Sequence, residues 1–177
     1  MLIFDASTLI LLAKVGLLDI FLDDFPGAVL LPRAVEAECV GGQPRPDGML
    51  IRQRIQEGRL TVVEVQQPRV VARLIQDFRL GSGEAEALAL ALEQEEAAAV
   101  VATDDRNAIR ACKVLRLGFV TSLGLLVRSV EKRLLTVDDG KRFLRGLASY
   151  GRFRPTLIEE VLQQMEGITH GESTEDR

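Results

Sequence analysis

Short apolar runs alternate with longer stretches of helical spacing along this chain. Leu2-Ile3-Phe4, Ala28–Leu31, Leu60–Val65, Ala98–Thr103 and Gly118–Thr121 predict five strands, the second ending at Pro32. Each run is apolar throughout instead of alternating, which is the pattern of a mainly parallel sheet covered on both faces. Between them, helices are predicted over residues 8–24 with a break near Gly16, and over 33–40, 49–57, 69–78, 83–96, 106–117 and 123–134. Residues 83–96 give the clearest helix, dense in alanine, leucine and glutamate. Gly41–Gly48 has no period and reads as a mobile surface loop.

The rhythm of strands and helices predicts an α/β fold with three layers, α/β/α, around a central sheet of about five strands. It fills residues 1–135. After Leu135 the pattern becomes purely helical, with helices near 139–148 and 156–166. This is expected to be a hairpin packed on the same domain over 136–166, followed by a polar, frayed tail over 167–177.

Composition narrows the class. The chain has 177 residues, 47% hydrophobic and 27% charged, which excludes a disordered chain or a collagen-like repeat. Cys39 and Cys112 lie far apart and fit no metal-knuckle spacing. The N-terminus lacks a basic region, and Asp5 and Lys14 interrupt its apolar stretch, which argues against a signal peptide. A cytoplasmic protein without a membrane span is expected. The net charge of −4 gives bulk charge no role in holding nucleic acid. Binding then depends on where the basic residues sit. Of the 22 basic residues 18 are arginine, a bias that suits phosphate contacts but also follows from genome composition or thermal adaptation.

Among the 26 acidic residues, the informative ones are those placed where a solvated charge does not belong. Asp5 follows the first strand directly, and ligands of open parallel sheets gather outside the strands' carboxyl ends. Its plain alternative is an N-cap for the next helix. Glu38 lies beside the inward face set by Val35 and Cys39, and Glu36 projects elsewhere. At about 100° per residue, Glu84 shares a stripe with Ala87, Leu88 and Ala91, while Glu86 points to solvent; the plain alternative for Glu84 is charge compensation at the helix N-terminus, with Ser82 as the cap. Thr103-Asp104-Asp105 ends the fourth strand and would deliver its aspartates to the same rim as Asp5. One of the pair caps the following helix and the other is free for chemistry. Such a cluster repels itself unless divalent cations offset it, and Mg²⁺ and Mn²⁺ favour carboxylates and water. A site of this kind activates water for in-line attack on a phosphodiester. The single histidine, His170, falls in the expected tail.

In Ile3-Phe4-Asp5-Ala6-Ser7-Thr8-Leu9, Pro32–Glu38, Gly83–Ala91 and Thr103-Asp104-Asp105-Arg106, the chain resembles the PIN-domain superfamily. These are Mg²⁺- or Mn²⁺-dependent ribonucleases that include the toxins of VapBC-type toxin–antitoxin modules. The likeness extends from Leu2 to near Met165 and is greatest to a prokaryotic PIN-like branch of about this length. The family's acidic positions fall on Asp5, Glu38, Glu84 and one of Asp104 and Asp105. Toxin spacing points to Asp105, strand-end geometry to Asp104. Toxins commonly carry aspartate at the third position, where this chain has Glu84.

The resemblance implies a metal-dependent endoribonuclease of PIN-like fold. Asp5 and the fourth-position aspartate would be the principal metal ligands. Glu38 and Glu84 would bind a second ion or orient waters, and Ser7 and Thr103 would order the surrounding hydrogen bonds. Arg106 and Arg110, and less strongly Arg33 and Arg45, are candidates for holding the RNA backbone. A homodimer and a cognate antitoxin are possible partners implied by the family. Other readings are a PIN-like module without catalysis that binds RNA or a protein, and a phosphotransfer domain with strand-end aspartates. Asp5-Ala6-Ser7 fits the last poorly, and Gly81-Ser82-Gly83 lacks the strand and glycine pattern of nicotinamide binding.

Overall fold

The computed structural model describes residues 1–94 and 99–170. Five parallel strands form one sheet: β1 (Leu2–Phe4), β2 (Val29–Pro32), β3 (Thr61–Val63), β4 (Val100–Ala102) and β5 (Gly118–Val120). Their order is β3-β2-β1-β4-β5. From β1 the chain winds outward to β2 and β3, then returns to build β4 and β5 on β1's other side. The strand order therefore reverses between β1 and β4, where open α/β sheets form a crevice at their carboxyl ends.

Successive side chains point to opposite faces, and both faces are buried. Leu2, Phe4, Val29, Leu31 and Ala102 join one core, while Ile3, Leu30 and Val101 join another. The first core is closed by α1 (Ala6–Val15), α2 (Leu17–Asp24), α8 (Ser122–Glu131), α9 (Val137–Tyr150) and α10 (Pro155–His170). Gly16, at φ 79°, makes the sharp break between α1 and α2 that the sequence predicts. Leu144 and Leu147 of α9 and Val161 and Met165 of α10 are buried in that core. The second core lies under α5 (Pro68–Phe78), α6 (Ser82–Glu93) and α7 (Arg106–Leu115). α3 (Arg33–Val40) and α4 (Pro46–Gln56) complete the ten helices among the described residues. A bidentate pair between Arg54 and Asp19, at 2.6 and 2.7 Å, ties α4 to α2.

Four expectations need correction. The mobile loop over 41–48 is shorter, because α4 begins at Pro46, a residue suited to a first helical position. Asp47 and Gly48 are buried inside that helix. Glu86 does not face solvent. It is half-buried, and its carboxylate accepts the Ala34 backbone N–H at 2.9 Å. Helix α6 is buried on several sides at once, including Ala85, Ala87 and Ala89, so the single-stripe argument does not hold for it. The N-cap of α6 is Gly81, not Ser82. Finally, α10 runs to His170, past the expected start of the tail at 167; residues 171–177 and the expected first residue of the fourth strand, Ala98, lie outside the described residues.

Candidate functional site

A short parallel strand followed by a helix places each strand's last residue at the N-terminus of that helix, where unpaired backbone N–H groups attract negative charge. The acidic residues at the sheet's carboxyl end use this. Asp5, between β1 and α1, accepts the Thr8 N–H at 2.8 Å and the Ser7 hydroxyl at 3.3 Å, both on Oδ1. Asp105, between β4 and α7, accepts the N–H groups of Asn107 and Ala108 at 2.7 and 2.8 Å, also on Oδ1. Asp104 turns to a different helix and accepts the first N–H of α8, from Ser122, at 3.0 Å. Glu84, in the first turn of α6, reaches back to the Gly81 N–H at 2.6 Å. This is half of a capping box, since Gly81 has no side chain to reciprocate. Four helix N-termini thus each hold one carboxylate by one oxygen.

Two of these aspartates leave their second oxygen unbonded, as Asp47, outside the cavity, also does. Asp5 Oδ2 and Asp104 Oδ2 are buried without a hydrogen-bond partner. Asp5 is 1% exposed, and burial pushes its carboxyl up to about 6. The Thr103 hydroxyl and the Thr8 N–H and hydroxyl pull it back, and the nearby Asp104 charge raises it further. Burial also raises Asp104, opposed by Ser122 and Thr8. Glu84 is raised by burial, offset by the Gly81 N–H, with the charges of Asp105 and Glu38 adding to the rise. The two junctions are stitched together, since Thr8 Oγ1 accepts the Asp104 N–H at 3.0 Å. Thr103, fully buried, accepts the Asp105 N–H at 3.2 Å.

Above this floor lies a cavity of about 540 Å³, whose acidic lining is Glu38, Glu84, Asp104 and Asp105, with Ser7 beside them. Asp5 lies beneath, linked to the lining through Ser7. Glu38 stands on α3 and is exposed. Its carboxylate lies against position 83 of α6, where a Cβ would be in ordinary contact with Glu38 Oε2 at 3.5 Å and would crowd Val35 Cγ2 at 3.3 Å. The fold therefore brings Glu38, Glu84, Asp104 and Asp105 around one cavity with Asp5 under it. The Asp104–Asp105 ambiguity becomes a division of labour, in which Asp105 caps α7 and Asp104 carries the partnerless oxygen.

The basic candidates are scattered differently. Arg45 lines this cavity and lies 3.9 Å from Asp47. Arg33 lines a separate cleft with Glu64 and Glu86, and pairs with Glu36 at 2.7 Å, so it stands apart from the carboxylates. Arg106 and Arg110 are exposed on α7, just beyond Asp105, and do not line the cavity. The sequence reading missed other lining residues, Lys14 and Tyr150–Phe153 at the corner between α9 and α10. The available signals were Lys14, a charge in an otherwise apolar helix, and Tyr150, the chain's single tyrosine.

The donors fit a hard divalent cation. They are oxygens alone, and two of them are buried without a well-formed hydrogen bond, near the hydroxyls of Thr8, Thr103 and Ser122. Among the described residues, no three carboxylate, thiol or imidazole groups are drawn together closely enough to hold an ion as they stand. The thiols offer no competing chemistry. Burial pushes Cys39 up to about 12 and Cys112 up to about 11, leaving both protonated at neutral pH. No helix among the described residues is long and apolar enough to cross a membrane.

Comparison with curated proteins and with solved structures gives no match. The family model described as PIN domain matches residues 1–167, from the first strand to within α10. That span takes in every carboxylate of the cavity and both halves of its lining; the chain belongs to the PIN-domain family.

Proposed function

We propose that this protein is a metal-dependent ribonuclease that hydrolyses RNA phosphodiesters at the carboxylate-lined cavity. The observation that carries this reading is the pair of buried, partnerless oxygens, Asp5 Oδ2 and Asp104 Oδ2, at the reversal point of the sheet. An unsatisfied buried acceptor costs about 1–3 kcal/mol, more when charged. A cation held by these oxygens would offset that cost.

Asp5 and Asp104 would be the principal ligands of Mg²⁺ or Mn²⁺, with Glu38, Glu84 and Asp105 completing the set. A bound ion of this kind lowers the pKa of water and stabilises an oxygen departing from phosphorus. The chain's own groups do the positioning. The Ser7 hydroxyl donates to Asp5, and the Thr8 N–H fixes the same oxygen, so that Oδ2 is held in one place. Thr103 fixes the turn that carries Asp104 and Asp105. Arg106 and Arg110 stand at the start of α7, beside Asp105, where an RNA backbone leaving the cavity would meet them.

The test is cleavage of a mixed RNA panel with Mn²⁺, Mg²⁺ or EDTA, comparing the wild type with Asp5→Asn. Cutting that needs the metal and is lost in the variant supports the reading. A folded wild type that neither binds Mn²⁺ nor cuts would overturn it. A second reading, a PIN-like module that binds without catalysis, is favoured by one observation: four of the carboxylates already accept N–H groups at helix N-termini. Wild-type protein that binds RNA but no Mn²⁺ would select it.

A further inference from the structure

The cavity's lining also draws basic and aromatic residues from distant parts of the chain. Lys14 comes from the last turn of α1, and Tyr150 to Phe153 form the corner between α9 and α10. Lys14 Nζ lies 5.8 Å from the centroid of the Tyr150 ring. Tyr150 is 62% exposed, an unusual place for the largest aromatic side chain available to this sequence. The corner is specifically shaped. Gly151 donates its N–H to the Leu147 carbonyl at 2.7 Å, and the Phe153 ring folds back over it. A Cβ at position 151 would meet that ring at 2.2 Å, so the ring takes its place only because residue 151 is glycine.

Cations and aromatic faces on one side of a cavity are the ingredients of single-strand recognition. Basic groups track the phosphates and a ring stacks on a base, which a duplex keeps stacked within itself. The carboxylates cannot attract an anionic strand, so the basic residues of the lining must contribute to the attraction. We propose that Tyr150, Lys14, Arg45 and Arg152 form the substrate wall of the cavity and hold a single-stranded RNA segment against the carboxylates. Phosphates lie on the three cations, and one base stacks on Tyr150. Phe153 positions the corner. This inference rests on the ribonuclease reading of the same cavity, but its binding step needs no chemistry to occur.

The experiment has two arms. In the first, a short labelled RNA, single-stranded or annealed to its complement, is titrated by fluorescence anisotropy with EDTA present. Wild type is expected to bind the single strand more tightly than the duplex. Tyr150→Ala is expected to weaken the single strand about ten-fold, Tyr150→Phe to restore it, and Arg152→Gln to weaken it and flatten its salt dependence. In the second arm, cleavage with Mn²⁺ is expected to show KM raised by Tyr150→Ala and Arg152→Gln with kcat little changed. Wild type that binds the single strand but never cuts leaves the wall standing and removes the ribonuclease reading. Wild type that cuts, with variants of unchanged KM and affinity, removes the wall and leaves the ribonuclease. Equal affinity for duplex and single strand, or no binding at all, overturns the proposal. Tyr150 and Arg152 are both exposed, and melting temperatures equal to wild type establish that the variants fold.

Discussion

At the end of β1 one aspartate, Asp5, both caps the following helix and keeps an oxygen in reserve; at the end of β4 two aspartates share that work. Asp105 caps α7 with two N–H groups on one oxygen, whereas Asp104 bonds α8 and holds back a buried oxygen with no partner. The difference follows from what surrounds each junction. β1 is central, so its exit is sealed and Asp5 is almost fully buried. The exit of β4 is half-open, and both of its aspartates line the cavity. Capping and chemistry are therefore separable after β4 and fused after β1. Substitutions can pull the two roles apart.

The largest effect is expected at the fused position. Asp5→Asn should lower metal-dependent cleavage by about 100-fold or more, the scale of removing a placed electrostatic group. Asn retains an oxygen that accepts the Thr8 N–H, so the cap survives. The same variant should melt higher than wild type in EDTA at pH 8. The sign follows from Asp5's carboxyl, raised from 3.8 to about 6 by burial. Its contribution to stability is full below about 3.8 and is lost as pH rises through about 6. Above that, the metal-free fold carries a buried charge at a cost of at most about 3 kcal/mol. Calorimetry that finds the variant less stable at pH 8 would contradict this account of the junction.

Next in size comes the contrast between the two aspartates after β4. Asp104→Asn is expected to reduce cleavage about ten-fold more than Asp105→Asn, because only Asp104 has the orphaned oxygen. Asp105→Ala should instead cost about 1 kcal/mol of stability through the lost cap of α7. Equal kinetic losses at both positions would mean that the roles are not divided.

A third effect is linkage. Mn²⁺ affinity should weaken by up to about ten-fold per pH unit below 6, as protons compete for Asp5. Binding near pH 6 should release a proton, visible as a buffer-dependent heat in titration calorimetry. Affinity independent of pH between 5 and 7 would show, within roughly that window, that Asp5 is not a ligand. The smallest effect is expected at Glu86, a capping carboxylate away from the cavity. Glu86→Ala should lower stability by about 1 kcal/mol through the uncapped Ala34 N–H and leave Mn²⁺ binding unaltered. A change in metal affinity there would blur the line between caps and ligands.

Much of the scaffold was legible because its strands are short and mostly apolar, and because a parallel sheet fixes which strand end faces the cavity. The match of residues 1–167 to the PIN-domain family agrees with the resemblance carried by the four acidic motifs. What escaped did so for physical reasons. Glu86 was misjudged because alanine fills several sides of α6, so helical phase carries no contrast between core and solvent. Pro46-Asp47-Gly48 read as a loop because residues that break helices in the middle also start them. Asp104 and Asp105 stayed ambiguous because each bond depends on which helix end is nearest, and α8 begins 17 residues beyond Asp105. The pairing of Lys14 with Tyr150 is tertiary, and no local pattern announces it.

The reserved oxygen of Asp5 has a consequence for the history of the sequence. Folding alone would be better served by asparagine at this position, which keeps the Thr8 contact without the buried charge. Drift under selection for stability alone would erase the aspartate, and a descendant that had abandoned its cation would drift the same way. The capping roles of Glu84 and Asp105 would protect those two from the same erosion. If the proposed cation site holds, position 5 is where its loss would show first, as an asparagine in place of the aspartate.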